Sequence, residues 1–341
     1  MRLPKFEYLR PETLENAIDL LAEYRDEAQI LAGGTDLLVR MKKGLLAPKV
    51  LISLKALEGL SYIKEKEDVL HIGAATPLAE IIGSNSVKKK APALSSACEK
   101  VGATTLQHFR GTIGGNILQE NRCHHYNQSK FHRSGRQPCH KDGGKICYAR
   151  DNADRCYSTC QSDGATALMA LDAGLVLISQ GNERTVDLAD FYTNDGIKPF
   201  AIESHELLKE IIIPTGATAS AYQRLAYRSA IDYPIVSAGA AITASSVVVN
   251  MARIAVGAIG RSPLYLAQAS ALLKGKTLKD EGAFRNAAIE AMDSAAAFAV
   301  HNVGATLDYR CAMIEKMVFR ALKASADAIL CSPKIDGAVK K

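Results

Sequence analysis

The sequence predicts an α+β protein with more than one domain, and three observations carry that expectation. Short apolar runs alternate with helix-period segments through the first 220 residues. From about Tyr222 the texture changes to longer alternating runs followed by alanine-rich helices. The length, 341 residues with 48% hydrophobic content, suits two to three hydrophobic cores and excludes wholesale disorder. The expected division is residues 1–220, residues 221–330 and a frayed tail at 331–341.

Residues 11–25 place Leu14, Ala17, Ile18, Leu21 and Ala22 on one helical face, with Pro11 suited to a first turn. Ala28 to Ala32 reads as a short buried strand, followed by Gly33-Gly34-Thr35-Asp36 and a helix from Leu37. Strands are expected at Lys49–Leu54 and Val69–Ala74, and a helix at Ala91–Val101 closed by Gly102. Gly111-Thr112-Ile113-Gly114-Gly115-Asn116 is a second glycine loop. Regular structure resumes at Ala165–Leu171, Leu175–Ser179 and Glu206–Pro214. In the last part, strands are expected at Val236–Val249 and Ile254–Ile259. Helices are expected at Leu264–Leu273, Ala283–Phe298 and Tyr309–Ala324.

No apolar run approaches the roughly 18 residues that would span a bilayer. The first twenty residues carry Glu7, Glu12, Glu15 and Asp19 and no continuous apolar stretch. This pattern argues against a secretory signal or a transit peptide, so a cytoplasmic protein with no membrane partner is expected.

The net charge is +6, and it is concentrated. Between Asn121 and Cys160 stand eight basic residues and three acidic ones, leaving about +1 for the rest of the chain. The same stretch holds Cys123, Cys139, Cys147, Cys156 and Cys160 of the eight cysteines. Without an export signal, disulfides explain such a group poorly and ligation explains it well. Fifteen, seven, eight and three residues separate successive cysteines. Structural zinc prefers close pairs, and only Cys156 and Cys160 make one. A 4Fe–4S cluster, a zinc site and incidental thiols all remain open at this point. The basic excess suits the anionic charge of either metal centre.

The two glycine loops offer backbone N–H groups to an anion, although either one alone reads first as an ordinary tight turn. Neither is a GxGxxG fingerprint nor a phosphate loop of the GxxxxGK type. Two such loops, each with a hydroxyl or amide beside the glycines, favour a single dinucleotide.

Three stretches then stand out together: Leu31-Ala32-Gly33-Gly34-Thr35-Asp36-Leu37, Arg110-Gly111-Thr112-Ile113-Gly114-Gly115-Asn116, and Asp163 ahead of Ala167-Leu168-Met169-Ala170-Leu171-Asp172. The chain resembles the FAD-binding medium subunit of the xanthine dehydrogenase, or molybdenum hydroxylase, family over about residues 3–327. Arg253 to Ile259 resembles the C-terminal domain of the carbon monoxide dehydrogenase flavoprotein. The forty-residue insertion at 121–160, with Arg122-Cys123, Tyr126 to Ser129 and Asp154-Arg155-Cys156, is similar to that of the 4-hydroxybenzoyl-CoA reductase β subunit.

The resemblance implies a two-part FAD-binding domain of the PCMH (vanillyl-alcohol oxidase-like) type, with an iron–sulfur insertion and an α+β C-terminal domain. It implies FAD held at Leu31, Ala32, Gly33, Gly34, Thr35, Asp36, Thr112, Gly115, Asn116, Asp163, Leu208 and Arg224, with Tyr192 a weaker candidate. It implies a 4Fe–4S cluster on Cys123, Cys139, Cys147 and Cys156, with Cys160 departing from the pattern. The implied role is electron transfer beside a large molybdopterin subunit and a small 2Fe–2S subunit, with ferredoxin as donor and a heterotrimer, open to pairing into a dimer of heterotrimers, as the assembly. No catalytic acid, base or nucleophile is expected on this chain. The rival readings are the same subunit serving another aromatic or N-heterocyclic substrate, and a zinc-stabilised nucleic-acid-binding protein. Against the latter stand an aromatic content of 6% and the lack of a stacking pattern in the insertion.

Overall fold

A computed structural model describes residues 2–217, 219–301 and 304–331. Strands β1 (Glu7–Leu9), β2 (Ala28–Leu31) and β3 (Val50–Ser53) form a parallel sheet with β3 in the middle. The crossover from β1 to β2 is the helix Leu14–Tyr24. Its cap is Thr13, whose Oγ1 accepts the Asn16 N–H, so Pro11 lies ahead of the helix and not in its first turn. Ala17 and Leu21 face the sheet and pack with Ile52, Leu54, Val176 and Ile178.

The second sheet is antiparallel. Strands β4 (Ile63–Lys66), β5 (Val69–Gly73), β6 (Gly174–Ser179), β7 (Asn182–Asp187) and β8 (Leu207–Pro214) lie in the order β4-β5-β8-β6-β7. Alternation along β6 assigns its two faces: Val176 and Ile178 join the first core, while Leu175 and Leu177 join a larger one with Leu94, Ala97 and Leu168. The helix Asp163–Ala170 runs through that larger core with all eight residues buried.

The third sheet contains β9 (Ala219–Leu225), β10 (Val236–Ser245), β11 (Val248–Gly257) and the two-residue β12 (Leu264–Tyr265), in the order β12-β11-β10-β9. The expected strand at Val236–Val249 is in fact two strands joined by a turn in which Ser246 has φ +55°. The turn falls on Ser246 and Val247, with no Gly or Pro to mark it, so the sequence did not show the break. The expected helix Leu264–Leu273 begins instead as a strand, and only Ala267–Ala271 is helical. Glu281–Ala296 and Leu307–Leu330 pack on one face, through Phe284, Ala291, Ile314 and Val318. The opposite face meets the helix Asp163–Ala170 so closely that a Cβ on Gly257 would lie 1.9 Å from Thr166 Oγ1. The fully buried Arg310 donates to the carbonyls of Ile235, Ala258 and Val300, and burial lowers its guanidinium to about 10. The tail expected at 331–341 lies, beyond Cys331, outside the described residues.

The insertion leaves and rejoins this frame at one point. Arg122 and Thr159 exchange both backbone hydrogen bonds, 2.8 and 2.7 Å. Between them lie one short helix, Lys130–Ser134, a single tight turn at His140–Asp142 and irregular chain. From Arg122 to Arg155 only Ala149 is buried. Polar contacts fasten the segment to the frame. Lys43 Nζ donates to Asn127 O at 3.0 Å, and Arg133 Nη2 donates to Gly44 O at 3.2 Å. Tyr126 lies beneath both Arg133 and Lys141, at 5.3 and 5.6 Å. Among the described residues, no helix is long and apolar enough to cross a membrane.

Candidate cofactor cleft and cysteine group

The two glycine loops meet across a cleft of about 910 Å³, near the top of the roughly 300–1,000 Å³ range of ligand sites. Their contact is direct. A Cβ on Gly33 would lie 1.7 Å from Arg110 O, so only glycine lets the first loop rest on the second. Gly34 follows at φ +72°, a left-handed turn that swings the chain into the helix Leu37–Lys42. Among the described residues no acceptor faces the backbone N–H groups of Gly33, Gly34, Thr35 or Asp36. The cations of this wall are committed elsewhere: Arg122 to Asp36, and Arg40 to Glu120 at 3.0 Å. The capacity to hold a diphosphate therefore lies in backbone N–H groups rather than in side-chain charge. The buried Gln119 Nε2 also lines the cleft without a partner.

The second loop is fixed by its own side chains. Thr112 Oγ1 accepts from Gly115 N at 3.1 Å and caps the short helix Ile113–Ile117. Asn116 Oδ1 accepts from Ser162 Oγ at 2.8 Å and Gly164 N at 3.0 Å, tying this loop to the start of the helix Asp163–Ala170. Asp163 lines the cleft from that start. Burial pushes its carboxyl up, while Arg224 and the Tyr222 hydroxyl, which donates at 2.5 Å, pull it back.

Of the residues expected to hold FAD, Ala32 to Asp36, Thr112, Gly115, Asn116, Asp163 and Leu208 line this cleft. Leu31 packs instead behind the loop, with Leu37, Met41 and Leu51. Arg224 is buried behind Asp163, 3.3 Å from both carboxylate oxygens, and also donates to Lys100 O and Asp232 O. It does not line the cleft itself and touches it through Asp163 and Asp232, which do. Tyr192 is a core residue whose hydroxyl donates to Ile117 O at 2.9 Å.

Two walls of the cleft escape the sequence motifs. Residues 197–204 line the cleft from one side, and Arg228, Ile231, Asp232 and Tyr233 reach it from the C-terminal part. Neither carries a glycine motif. The turn that carries the second, with Ile231 left-handed at φ +55° and Tyr233 exposed, shows only in the structure.

The five cysteines of the insertion divide into four and one. Burial pushes the Cys123 thiol up to about 11, and its neighbours Cys156 and Cys147 add to the rise. Cys156 is raised by burial and by Cys139, against the lowering pull of Ser158 and Lys141. Cys160 stands apart, in the main core beside Tyr192, raised by burial to about 11. Among the described residues, no three His, Cys, Asp or Glu side chains converge as ligands of a single ion.

A family model for the FAD-binding domain in molybdopterin dehydrogenase matches residues 4–216, and one for the carbon monoxide dehydrogenase flavoprotein C-terminal domain matches residues 220–325. The chain belongs to this family of FAD-binding molybdopterin dehydrogenase subunits. It is 31% identical over 281 residues to the nicotinate dehydrogenase FAD-subunit of Eubacterium barkeri, covering 81% of this chain and 82% of that one. It is 27% identical to the carbon monoxide dehydrogenase medium chain of Hydrogenophaga pseudoflava over 94% of this chain and 97% of that one. The solved carbon monoxide dehydrogenase of the same organism superposes with a TM-score of 0.76, covering 96% of this chain and 99% of that one. The chain is thus a subunit of an oxidoreductase, and its mixed α/β architecture is the family's.

Proposed function

We propose that this chain is the flavin- and iron–sulfur-carrying medium subunit of a molybdenum enzyme of the 4-hydroxybenzoyl-CoA reductase type. FAD occupies the cleft between the glycine loops, and a 4Fe–4S cluster sits on Cys123, Cys139, Cys147 and Cys156. The observation that carries the reading is the division of the five cysteines. Cys123 feels the charge of Cys147 and Cys156, and Cys156 that of Cys139, so the four belong to one electrostatically linked group whose thiolates could each bind a different iron of a cubane. The fifth, Cys160, is packed away in the core. Bound FAD supplies one- and two-electron redox chemistry. The chain's own residues would do the holding: the N–H groups of Gly33 to Asp36 could take a diphosphate, the unpartnered Gln119 amide could donate, and Asp163 offers a carboxylate fixed by Tyr222 and Arg224.

In this reading electrons enter from ferredoxin and leave toward a small 2Fe–2S subunit and a large molybdopterin subunit, where an aromatic hydroxyl is removed. The division into a flavin part at 1–220, interrupted by a cluster-bearing insertion at 121–160, and a C-terminal part at 221–330 belongs to the same proposal. So does a cytoplasmic dimer of heterotrimers.

Anaerobic purification with iron, sulfide and flavin analysis tests it. One FAD and about four irons per chain are expected. Cys139→Ser loses the iron and keeps the flavin, whereas Cys160→Ser keeps both. Stoichiometric zinc without iron, or iron lost only in Cys160→Ser, overturns the ligand assignment. Co-production with candidate large and small subunits followed by size-exclusion chromatography tests the assembly, and a chain that stays alone argues against it.

A further inference from the structure

We propose that the loop at residues 193–198 couples the cysteine group to the flavin cleft, with Gly196 as the positioning residue through which each site responds to the other. The proposal rests on the reading of the cleft as the FAD site. Its first observation is a close approach: a Cβ on Gly196 would lie 2.6 Å from Cys156 O and 2.7 Å from Cys156 Sγ. Only a glycine fits there, so the loop rests directly on one of the four neighbouring cysteines. Ser158 bridges the same two residues. Its Oγ donates to Gly196 O at 2.9 Å and lies 3.4 Å from Cys156 Sγ.

The second observation concerns the residues just after Gly196. Ile197, Lys198, Pro199 and Phe200 are consecutive residues of the cleft wall. The step from thiol to cleft is therefore one peptide unit long. The loop is also stiff. The Asp195 carboxylate accepts from Ile197 N at 2.6 Å and Lys198 N at 3.0 Å. Thr193 N donates to Pro199 O at 3.1 Å, and Arg261 Nε donates to Asn194 Oδ1 at 3.1 Å. A shift of Cys156 is passed to the cleft wall because no slack segment lies between them to absorb it. A second tie runs in parallel: Lys141 Nζ reaches Ser158 Oγ at 3.3 Å and pairs with Glu120 of the cleft wall. Displacing Gly196 alone should therefore weaken the coupling without emptying the cleft.

The test uses the full-length chain prepared anaerobically. FAD affinity is measured by titrating the flavin-free protein, and the cysteine site is followed by the EPR spectrum of its reduced cluster. In the wild type, removing FAD should change that spectrum and restoring FAD should reverse the change. Gly196→Ala should weaken FAD binding about tenfold and leave the spectrum indifferent to FAD. Ser158→Ala, which removes the hydrogen bond without a steric push, should show the same two effects more weakly. Gly59→Ala, whose Cβ would meet nothing within 4 Å, should show neither. A merely structural Gly196 would lower the melting temperature and leave the response of the cluster to FAD intact. The proposal is overturned if the wild-type spectrum ignores FAD, or if both variants bind FAD as the wild type does. If the wild type holds no iron, the iron–sulfur reading fails separately. Coupling is then read from alkylation of Cys156, which FAD should slow in the wild type and not in Gly196→Ala; equal rates overturn it.

Discussion

Residues 163–170 bury every side chain, while residues 122–155 bury one. The helix lines the cleft at Asp163, and the insertion rejoins the frame at Thr159, so the two lie a few residues apart in sequence. They nevertheless differ in what makes them ordered. The helix is fixed by apolar area removed from water, shared among strands of two sheets. The insertion is fixed by ion pairs, cation–π contacts and backbone hydrogen bonds, each worth little on its own. A frame of the first kind tolerates the loss of its ligand. On the proposed reading, a segment of the second kind is held together by the cluster on its thiols.

The largest expected effect attacks that contrast directly. Removing the metal with a chelator under anaerobic conditions should open residues 122–155 to limited proteolysis while the rest of the chain stays resistant. Mass spectrometry locates the cuts, and equal resistance with and without chelator would erase the difference between the regions. Next comes the buried ion pair beneath the cleft. Arg224→Met should cost about 3–5 kcal/mol, because Asp163 is left charged and buried. Adding Asp163→Asn should recover part of the loss, and urea unfolding of both variants checks the sign. Gly33→Ala forces a methyl against Arg110 O, parting the two loops at about 1–3 kcal/mol, and FAD should be lost more completely than stability. The smallest effect is the cap: Thr112→Val should cost about 1 kcal/mol and loosen FAD modestly while leaving any iron untouched.

Much of the frame was legible because its signals are local. Thr112 reads as a residue at the head of a glycine turn, and it caps the next helix. Leu175 to Ser179 reads as a buried strand because both of its faces are covered. The features that were not legible depend on partners distant in sequence. Arg224 looks like a cation for the flavin, yet three acceptors brought from Lys100, Asp163 and Asp232 hold it behind the wall. Leu31 belongs to a motif that touches the cleft, but strand alternation turns its side chain to the other side. Residues 197–204 carry no motif, since a wall made of Ile, Pro, Phe and Ala looks like any loop until the sheet beside it is placed. The cysteines were found by count and spacing and the resemblance already set Cys160 apart, but where it goes, buried in the main core beside Tyr192, came only from the fold.

The paired backbone hydrogen bonds between Arg122 and Thr159 have a consequence for how such a protein can change over time. Because the polypeptide departs and returns at adjacent positions, a short turn could join Arg122 to Thr159, at the loss of the contacts that Cys156 and Ser158 make with Gly196. Loop-closure cost rises only slowly with length, by about 0.6 kcal/mol per doubling, so acquiring a long excursion there is nearly as easy as acquiring a short one. The segment is thus a removable cassette. A lineage could gain or discard it in a single genetic event and keep a folded flavoprotein, and grafting it onto a relative at the same seam is a realistic engineering step.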